Sequence, residues 1–317
     1  MTAAMPTPRY SLVVPVYKNE ASIDGLLSTV AEIDRALGGK LELVVVVDGS
    51  PDRSFEILQE LLPDQLYPSR LIRHARNFGS FAAVRTGLQA AAGTYFAVMA
   101  ADLQEPPELI IEFFSRLDKG NVSLLIGERR LRADPASTKW ASSGFWASYR
   151  RFVQPAMPVG GIDVFAGSDA VRSSLVELRE ANSSLVGQLI WLGFEYEAIP
   201  YDRRHRADNG PSGWTFRKKF RYMMDSVYGF SALPIHVVTL IGAVGTILCL
   251  LIGTLIIVGR LTDSISVRGY TALMVTTLGC TSLVLTAIGI VGNYVWRAFE
   301  NSKQRPLAVV DRSERYP

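Results

Sequence analysis

Asp102 and Gln104 stand two residues apart, just after the apolar run Tyr95-Phe96-Ala97-Val98-Met99 and just before Glu105-Pro106-Pro107-Glu108. A strand that ends in a lone carboxylate, then an amide, then two prolines, makes a poor core element. The same residues suit a metal site at the carboxyl end of a sheet, where a carboxylate and an amide oxygen are hard ligands. Asp102 has a plainer use as well, as the N-cap of a helix beginning near Pro106.

The surrounding elements place further polar clusters at equivalent positions. Tyr10 to Tyr17 reads as a strand that stops near Pro15, Leu41 to Val47 as a β-branched strand buried on both faces, and Leu71 to Arg73 as a short third strand. Between them the spacing of Leu26, Leu27, Val30 and Ile33 predicts a helix with Asn19 and Ser22 as candidate caps and Gly38-Gly39 as its end. Helices are also predicted over Ser54 to Leu62, with Asp52 as cap, and over Phe81 to Ala92. This alternation at roughly 30-residue spacing means βαβ units and a doubly wound, mostly parallel α/β sheet. Ligands of such sheets sit beyond the carboxyl ends of the strands. The clusters 17–20, 48–52, 74–80 and 102–105 all fall there. Farther on, a helix is predicted over Leu109 to Leu117, a strand over Val122 to Ile126, a helix from about Ser168 to Leu178, and a strand over Gly193 to Pro200.

The chain has 317 residues, with 33 Lys+Arg against 30 Asp+Glu, a balance too weak to point to nucleic acid. Its two cysteines, Cys249 and Cys280, lie in apolar runs, which argues against a disulfide framework or a cysteine zinc site. Hydrophobic residues make up 48%, and the excess lies after Pro234. Ile235 to Val258 carries no charge apart from His236, and Thr271 to Trp296 carries none. At ~1.5 Å per residue each crosses a hydrocarbon core of ~30 Å, so two transmembrane helices are expected. Before them, Arg217, Lys218, Lys219 and Arg221 interleave with Phe216, Phe220, Tyr222, Met223 and Met224, the pattern of an amphipathic helix in a membrane interface. Basic residues precede the first span and, as Arg297, Lys303 and Arg305, follow the second, so both ends are expected in the cytoplasm at the plasma membrane. No signal peptide is apparent. The expected organisation is a catalytic domain over 1–213, an interfacial helix over 214–233, a two-helix anchor over 234–298 and a cytoplasmic tail over 299–317.

The first strand is followed by neither Gly-x-Gly-x-x-Gly nor a Walker A loop, which disfavours dinucleotide and P-loop chemistry. It ends instead in Pro15-Val16-Tyr17-Lys18-Asn19-Glu20, and the second strand in Asp48-Gly49-Ser50. With Arg76-Asn77-Phe78-Gly79, the run Asp102-Leu103-Gln104-Glu105-Pro106-Pro107-Glu108, Gly292-Asn293-Tyr294 and Arg305-Pro306, the chain resembles the family 2, GT-A fold glycosyltransferases that act on polyprenyl phosphates. These include the bactoprenol glucosyltransferases and dolichyl-phosphate mannose synthase. The resemblance covers nearly the whole chain. It implies an inverting transfer from a nucleotide-sugar, normally a UDP-sugar, to a polyprenyl phosphate, with Mg2+ or Mn2+ neutralising the diphosphate leaving group. On the family pattern Asp102 and Gln104 are the metal pair; side chains at i and i+2 of an extended segment face one way, which fits one ion. Asp163 matches a catalytic base or positioning carboxylate. Pro15, Tyr17, Glu20, Asp48 and Arg76 match the nucleotide pocket. Arg129, Lys139, Ser143, Arg203 and Arg206 match the basic set that binds the acceptor phosphate.

Four positions depart from the family pattern. Ala100 and Val47 stand where acidic residues are usual, Phe165 replaces an Arg, and Asn293 replaces a Glu in the anchor. Phe165 and the loop 203–214 are expected to help select the sugar. The alternative reading is a catalytically weak relative that binds nucleotide-sugar or lipid as a scaffold subunit of a glycan assembly system. A homo-oligomer is expected in either case.

Overall fold

The computed structural model describes residues 8–130, 149–151, 153–158, 162–180, 183–204, 216–262 and 270–317. An eight-stranded sheet forms its centre. The strands are β1 (Tyr10–Val16), β2 (Leu41–Val47), β3 (Ser69–His74), β4 (Tyr95–Val98), β5 (Leu124–Arg129), β6 (Phe165–Ser168), β7 (Tyr196–Tyr201) and β8 (Val310–Tyr316), in the order β7-β5-β6-β4-β1-β2-β3-β8. The β1–β2, β1–β4, β2–β3 and β5–β7 pairs are parallel; β6 runs antiparallel to β4 and β5, and β8 antiparallel to β3. The predicted mostly parallel α/β sheet is therefore present.

Alternation along the central strands explains why both faces are covered. Leu12, Val14 and Val16 of β1, with Leu41, Leu43, Val45 and Val47 of β2, join a core with α1 (Ile23–Ala36), α2 (Ser54–Leu61) and α4 (Pro107–Asp118). Val13, Val44 and Val46 point the other way. They pack against α3 (Ser80–Ala90) and belong to a second core that also includes residues of α5 (Asp169–Glu177) and α6 (Leu185–Trp191). Burying each such side chain stabilises the fold by roughly 1.5–3 kcal/mol. Helix α3 lies so close to β1 that a Cβ on Gly87 would come within 2.3 Å of Val13 Cγ1. This close seat holds α3 against the sheet, and the residues just ahead of its first turn adjoin the site described below.

Two strands lie outside the sequence expectation. β6 is only Phe-Ala-Gly-Ser, too short and too small for periodicity to mark. β8 lies in the segment expected to be a tail. Its Val-Asp-Arg-Ser-Glu-Arg-Tyr sequence is polar on both faces because it is a solvated edge strand. It is held by register with β3 from Ser69↔Tyr316 to Arg73↔Arg312, by the Ala75 N–H donating to Val309 O at 2.9 Å, and by Gln59 Nε2 donating to the Glu314 carboxylate at 3.0 Å.

Between the sheet and β8 the chain forms α7 (Phe216–Phe230), α8 (Leu233–Leu261) and α9 (Tyr270–Ser302). Because β8 returns to β3, the segments before α7 and after α9 meet the same domain. Apart from Tyr17, Leu66 and Trp191, the exposed large apolar side chains among the described residues lie from Val237 onward. Among the described residues one helical stretch, Gly279–Ser302 with mean hydropathy 1.4, is long and apolar enough to cross a membrane; Met223–Phe230 with Leu233–Gly245, bent by 75°, makes a second if the two are one span. Of the two transmembrane helices expected over Ile235 to Val258 and Thr271 to Trp296, the described residues therefore give one spanning candidate, in the second region, and only a bent pair near the first. A polar knot joins α7 and the residue after it to α9: Arg297 Nη2 donates to Asp225 Oδ1 at 2.6 Å, and the Tyr294 hydroxyl donates to Ser231 O at 2.9 Å. On its other side α7 docks on α6, where a Cβ on Gly187 would meet the Phe230 ring at 2.3 Å.

Candidate active site

The loops after β1 and β2 are laced together. Lys18, in the left-handed region at φ 57°, donates its N–H to Ser50 Oγ at 2.8 Å. The Glu20 N–H donates to Asp52 Oδ2 at 3.2 Å, and Glu20 Oε2 accepts from the Arg53 N–H at 3.0 Å. Partial burial works against the charge of Asp52, but hydrogen bonds from Ser50, Ser54 and the Glu20 amide outweigh it and hold its pKa below the ordinary carboxylate value. Asp52, expected as a simple helix cap, is thus the pin between two strand-end loops. Pro15 pairs in register with Val46, and Tyr17 is 39% exposed with the Lys18 ammonium 5.7 Å from its ring.

Asp48 is buried and turned toward the protein. Its Oδ1 accepts from the Phe78 N–H at 2.9 Å and lies 2.8 Å from His74 Nδ1; its Oδ2 accepts from the Gly79 N–H at 2.7 Å. His74 is held in turn by Thr86 of α3 at 2.9 Å. Gly49, at φ +55°, approaches this loop so closely that a Cβ would fall 2.2 Å from the Arg76 carbonyl carbon. The network therefore shapes the loop carrying Arg76, whose exposed guanidinium rests 4.0 Å from the Phe78 ring centroid. Val47, the last residue of β2, is buried in the core.

Beyond β4, Asp102 is 9% exposed. Leu103 adopts φ 57°, so the 102–104 segment is not extended, and the expectation that the two side chains simply project in parallel does not hold. Gln104 reaches the segment after β7 instead. Arg203 Nη2 donates to Gln104 Oε1, the Arg204 N–H donates to Gln104 O at 2.9 Å, and Gln104 Nε2 donates to Arg204 O at 3.3 Å. Arg204 also pairs with Glu108 at 3.3 Å. Glu105, which the sequence did not single out, is 2% exposed. Burial, and then the charges of Asp102 and Asp163, raise its pKa to about 7 against the pull of Arg203.

Across from this loop, Arg129 at the end of β5 is ion-paired with Asp163, just ahead of β6. Arg129 loses hydration by burial, yet Asp163 and Tyr201 more than restore its preference for the charged form. Tyr201, at the end of β7, is pushed up to about 12 by burial and by the Asp163 and Glu105 carboxylates. Asp102, Glu105, Asp163, Arg129, Arg203 and Tyr201 thus share one electrostatic neighbourhood. Strands β4 to β7 bring them together from positions up to 101 residues apart in sequence (102 to 203). Phe165 is not in it. It is 3% exposed and packs edge-to-face on Phe96 at 6.0 Å, so it belongs to the core, and the expectation that it selects the sugar is corrected. Lys139, Ser143, Arg206 and the loop 203–214 beyond residue 204 lie outside the described residues. Asn293 Nδ2 donates to Gly289 O of its own helix at 3.0 Å.

Among the described residues no group of three or more His, Cys, Asp or Glu side chains forms a ready-made metal cage. The Asp102 carboxylate and the Gln104 amide oxygen fit a hard divalent cation that takes its remaining ligands from a diphosphate and water.

The doubly wound sheet thus sets carboxylate and amide oxygens on one side of a strand-end site and arginines on the other, a donor set that suits a transferase of phosphate-bearing substrates. The glycosyl transferase family 2 model matches residues 11–177, and the chain belongs to that family. It is 27% identical to an uncharacterised glycosyltransferase of Synechocystis sp., over 96% of this chain and 95% of that one. It is 28% identical to the SfII prophage-derived bactoprenol glucosyl transferase of Shigella flexneri, over 97% and 99%. Among solved structures it is similar to glucosyl-3-phosphoglycerate synthase from Mycobacterium tuberculosis, with a TM-score of 0.49 and 20% identity over 64% of this chain and 73% of that one.

Proposed function

We propose that this glycosyltransferase moves a sugar, with inversion, from a UDP-sugar to a polyprenyl phosphate at the cytoplasmic face of the plasma membrane. The observation that carries this reading is the meeting of the Asp102–Gln104–Glu105 loop with Arg203 and the Asp163–Arg129 pair, in a domain that holds both ends of an apolar helical segment. The relatives named bactoprenol glucosyl transferases support the lipid acceptor.

In this reading Pro15, Tyr17, Glu20, Asp48 and Arg76 form the nucleotide side, with Asp48 acting through the loop it supports. Asp102 and Gln104 would hold Mg2+ or Mn2+. Such a cation supplies charge neutralisation for the departing diphosphate. The acceptor phosphate is already an anion and needs no strong base. One of its oxygens forms the new bond to the anomeric carbon from the face opposite the breaking carbon–oxygen bond, and the electron pair leaves with the nucleoside diphosphate. The protein's share is positioning and charge stabilisation. Arg129 and Arg203, with Lys139, Ser143 and Arg206 from the family pattern, present donors to phosphate oxygens, a task that favours the planar guanidinium. Asp163 orients Arg129. The Gln104 amide oxygen has two lone pairs, so it would hold the cation while still accepting from Arg203, keeping that guanidinium beside the phosphates.

Helices α8 and α9 form a two-span anchor and α7 lies in the interface, its 75° bend against α8 marking the turn into the bilayer. The return of β8 to β3 keeps both flanks on one side.

The test is a membrane assay with labelled nucleotide-sugars, polyprenyl phosphate and Mg2+ or Mn2+. Lipid-linked sugar that disappears with EDTA and with Asp102→Ala is expected. No transfer from any donor, with nucleotide binding intact, would overturn the reading in favour of a binding subunit.

A further inference from the structure

Glu105 is a carboxylate for which the reaction above has no use. It is 2% exposed, one oxygen accepts the Ala100 backbone N–H, and Oε2 has no hydrogen-bond partner among the described residues. The charged groups facing it are Asp102, Asp163, Arg203 and Arg129. Both arginines are engaged elsewhere, Arg203 by Gln104 and Arg129 by Asp163. A buried carboxylate oxygen without a donor, next to a second carboxylate, is strongly unfavourable unless something positive completes it. The hydrogen bond to Ala100 also fixes where it lies: against the position at which this chain lacks the acidic side chain usual in similar enzymes.

We propose that Glu105 is a direct ligand of the divalent cation, supplying with Asp102 the second carboxylate that Ala100 cannot. This rests on the metal-dependent reading above. Oε2 faces the cation while the other oxygen stays on the Ala100 amide, so the charge is placed by a short internal tether instead of by residue 100 itself. Two carboxylates and an amide oxygen form a donor set of the kind Mg2+ and Mn2+ take.

The experiment uses the full chain in detergent with saturating UDP and reads free Mn2+ by electron paramagnetic resonance. Glu105→Gln keeps the shape and the acceptor for the Ala100 N–H but removes the charge. It is expected to weaken Mn2+ binding by about tenfold or more with the unfolding temperature unchanged. Adding Ala100→Asp to that variant is expected to restore affinity. In the wild-type chain labelled with 13C-glutamate, Mn2+ is expected to shift a glutamate carboxylate band in the infrared difference spectrum, a readout that needs no variant to fold. Wild-type Mn2+ affinity in Glu105→Gln, or no glutamate band shift, overturns the assignment; if Asp102→Asn still abolishes binding, the metal-dependent reading survives. If the wild-type chain binds no Mn2+ with UDP, both fall.

Discussion

Asp48→Ala should destabilise the protein and loosen the nucleotide side of the site together. The carboxylate accepts from two backbone N–H groups, those of Phe78 and Gly79, and contacts one nitrogen of the buried His74, all within 2.9 Å. Removing it strands these groups. At ~1–3 kcal/mol for each buried polar group left unsatisfied, the loss would span ~3–9 kcal/mol. Phe78 and Gly79 are half-buried, so water can reach them and the low end, ~3 kcal/mol, is the expected value. That is a large part of the ~5–15 kcal/mol stability of a typical domain. At ~2–4 °C per kcal/mol it lowers the unfolding temperature by roughly 6–12 °C. Asp48→Asn, which keeps one acceptor oxygen, should fall between. The assay is thermal unfolding of the full chain in detergent, paired with UDP binding by equilibrium dialysis. Because the same contacts place the Arg76 loop, UDP affinity should fall with stability in both variants. An unchanged unfolding temperature with UDP binding abolished would refute the supporting role and make Asp48 a direct ligand. An unchanged value of both would remove it from the site.

The other expectations concern the loops and the edge of the sheet. Asp52 has a folded pKa below its unfolded value, so its stabilisation is complete above the unfolded value of ~3.9 and is lost as pH falls through the lower folded one. Wild type should therefore lose more stability than Asp52→Asn between about pH 5 and pH 3, measured by urea midpoints; equal losses would remove Asp52 from the acid limb. Deleting residues 309–317 uncovers the outer edge of β3. Amide exchange over Ser69 to His74 should accelerate by about tenfold or more while β1 stays protected, and unchanged exchange would show that β8 contributes nothing to that edge.

Much of the fold was legible because its signals are local. The β-branched run of β2 and the helical spacing of α1 are properties of a few consecutive residues, and they place the 17–20, 48–52, 74–80 and 102–105 clusters at strand ends before any contact is known. The order in which strands pair is not local. β6 has four small or aromatic residues with no periodic signal, and β8 carries the charges of a tail because an edge strand needs no apolar face. Asp163 and Arg129 were each singled out from the family pattern, but their ion pair depends on β6 running antiparallel beside β5.

The sequence by itself determined that a carboxylate stands at the end of the fourth strand, that oxygen ligands follow it, and that two long apolar stretches come later. Residue type and spacing suffice for these. Only the tertiary structure decided that Asp48 serves the Arg76 loop, that Phe165 is core, that Gln104 lies under Arg203, and that Glu105 is buried beside Asp102. Burial and partnership depend on what distant strands bring alongside a residue, and no property of the residue or its neighbours in sequence records that.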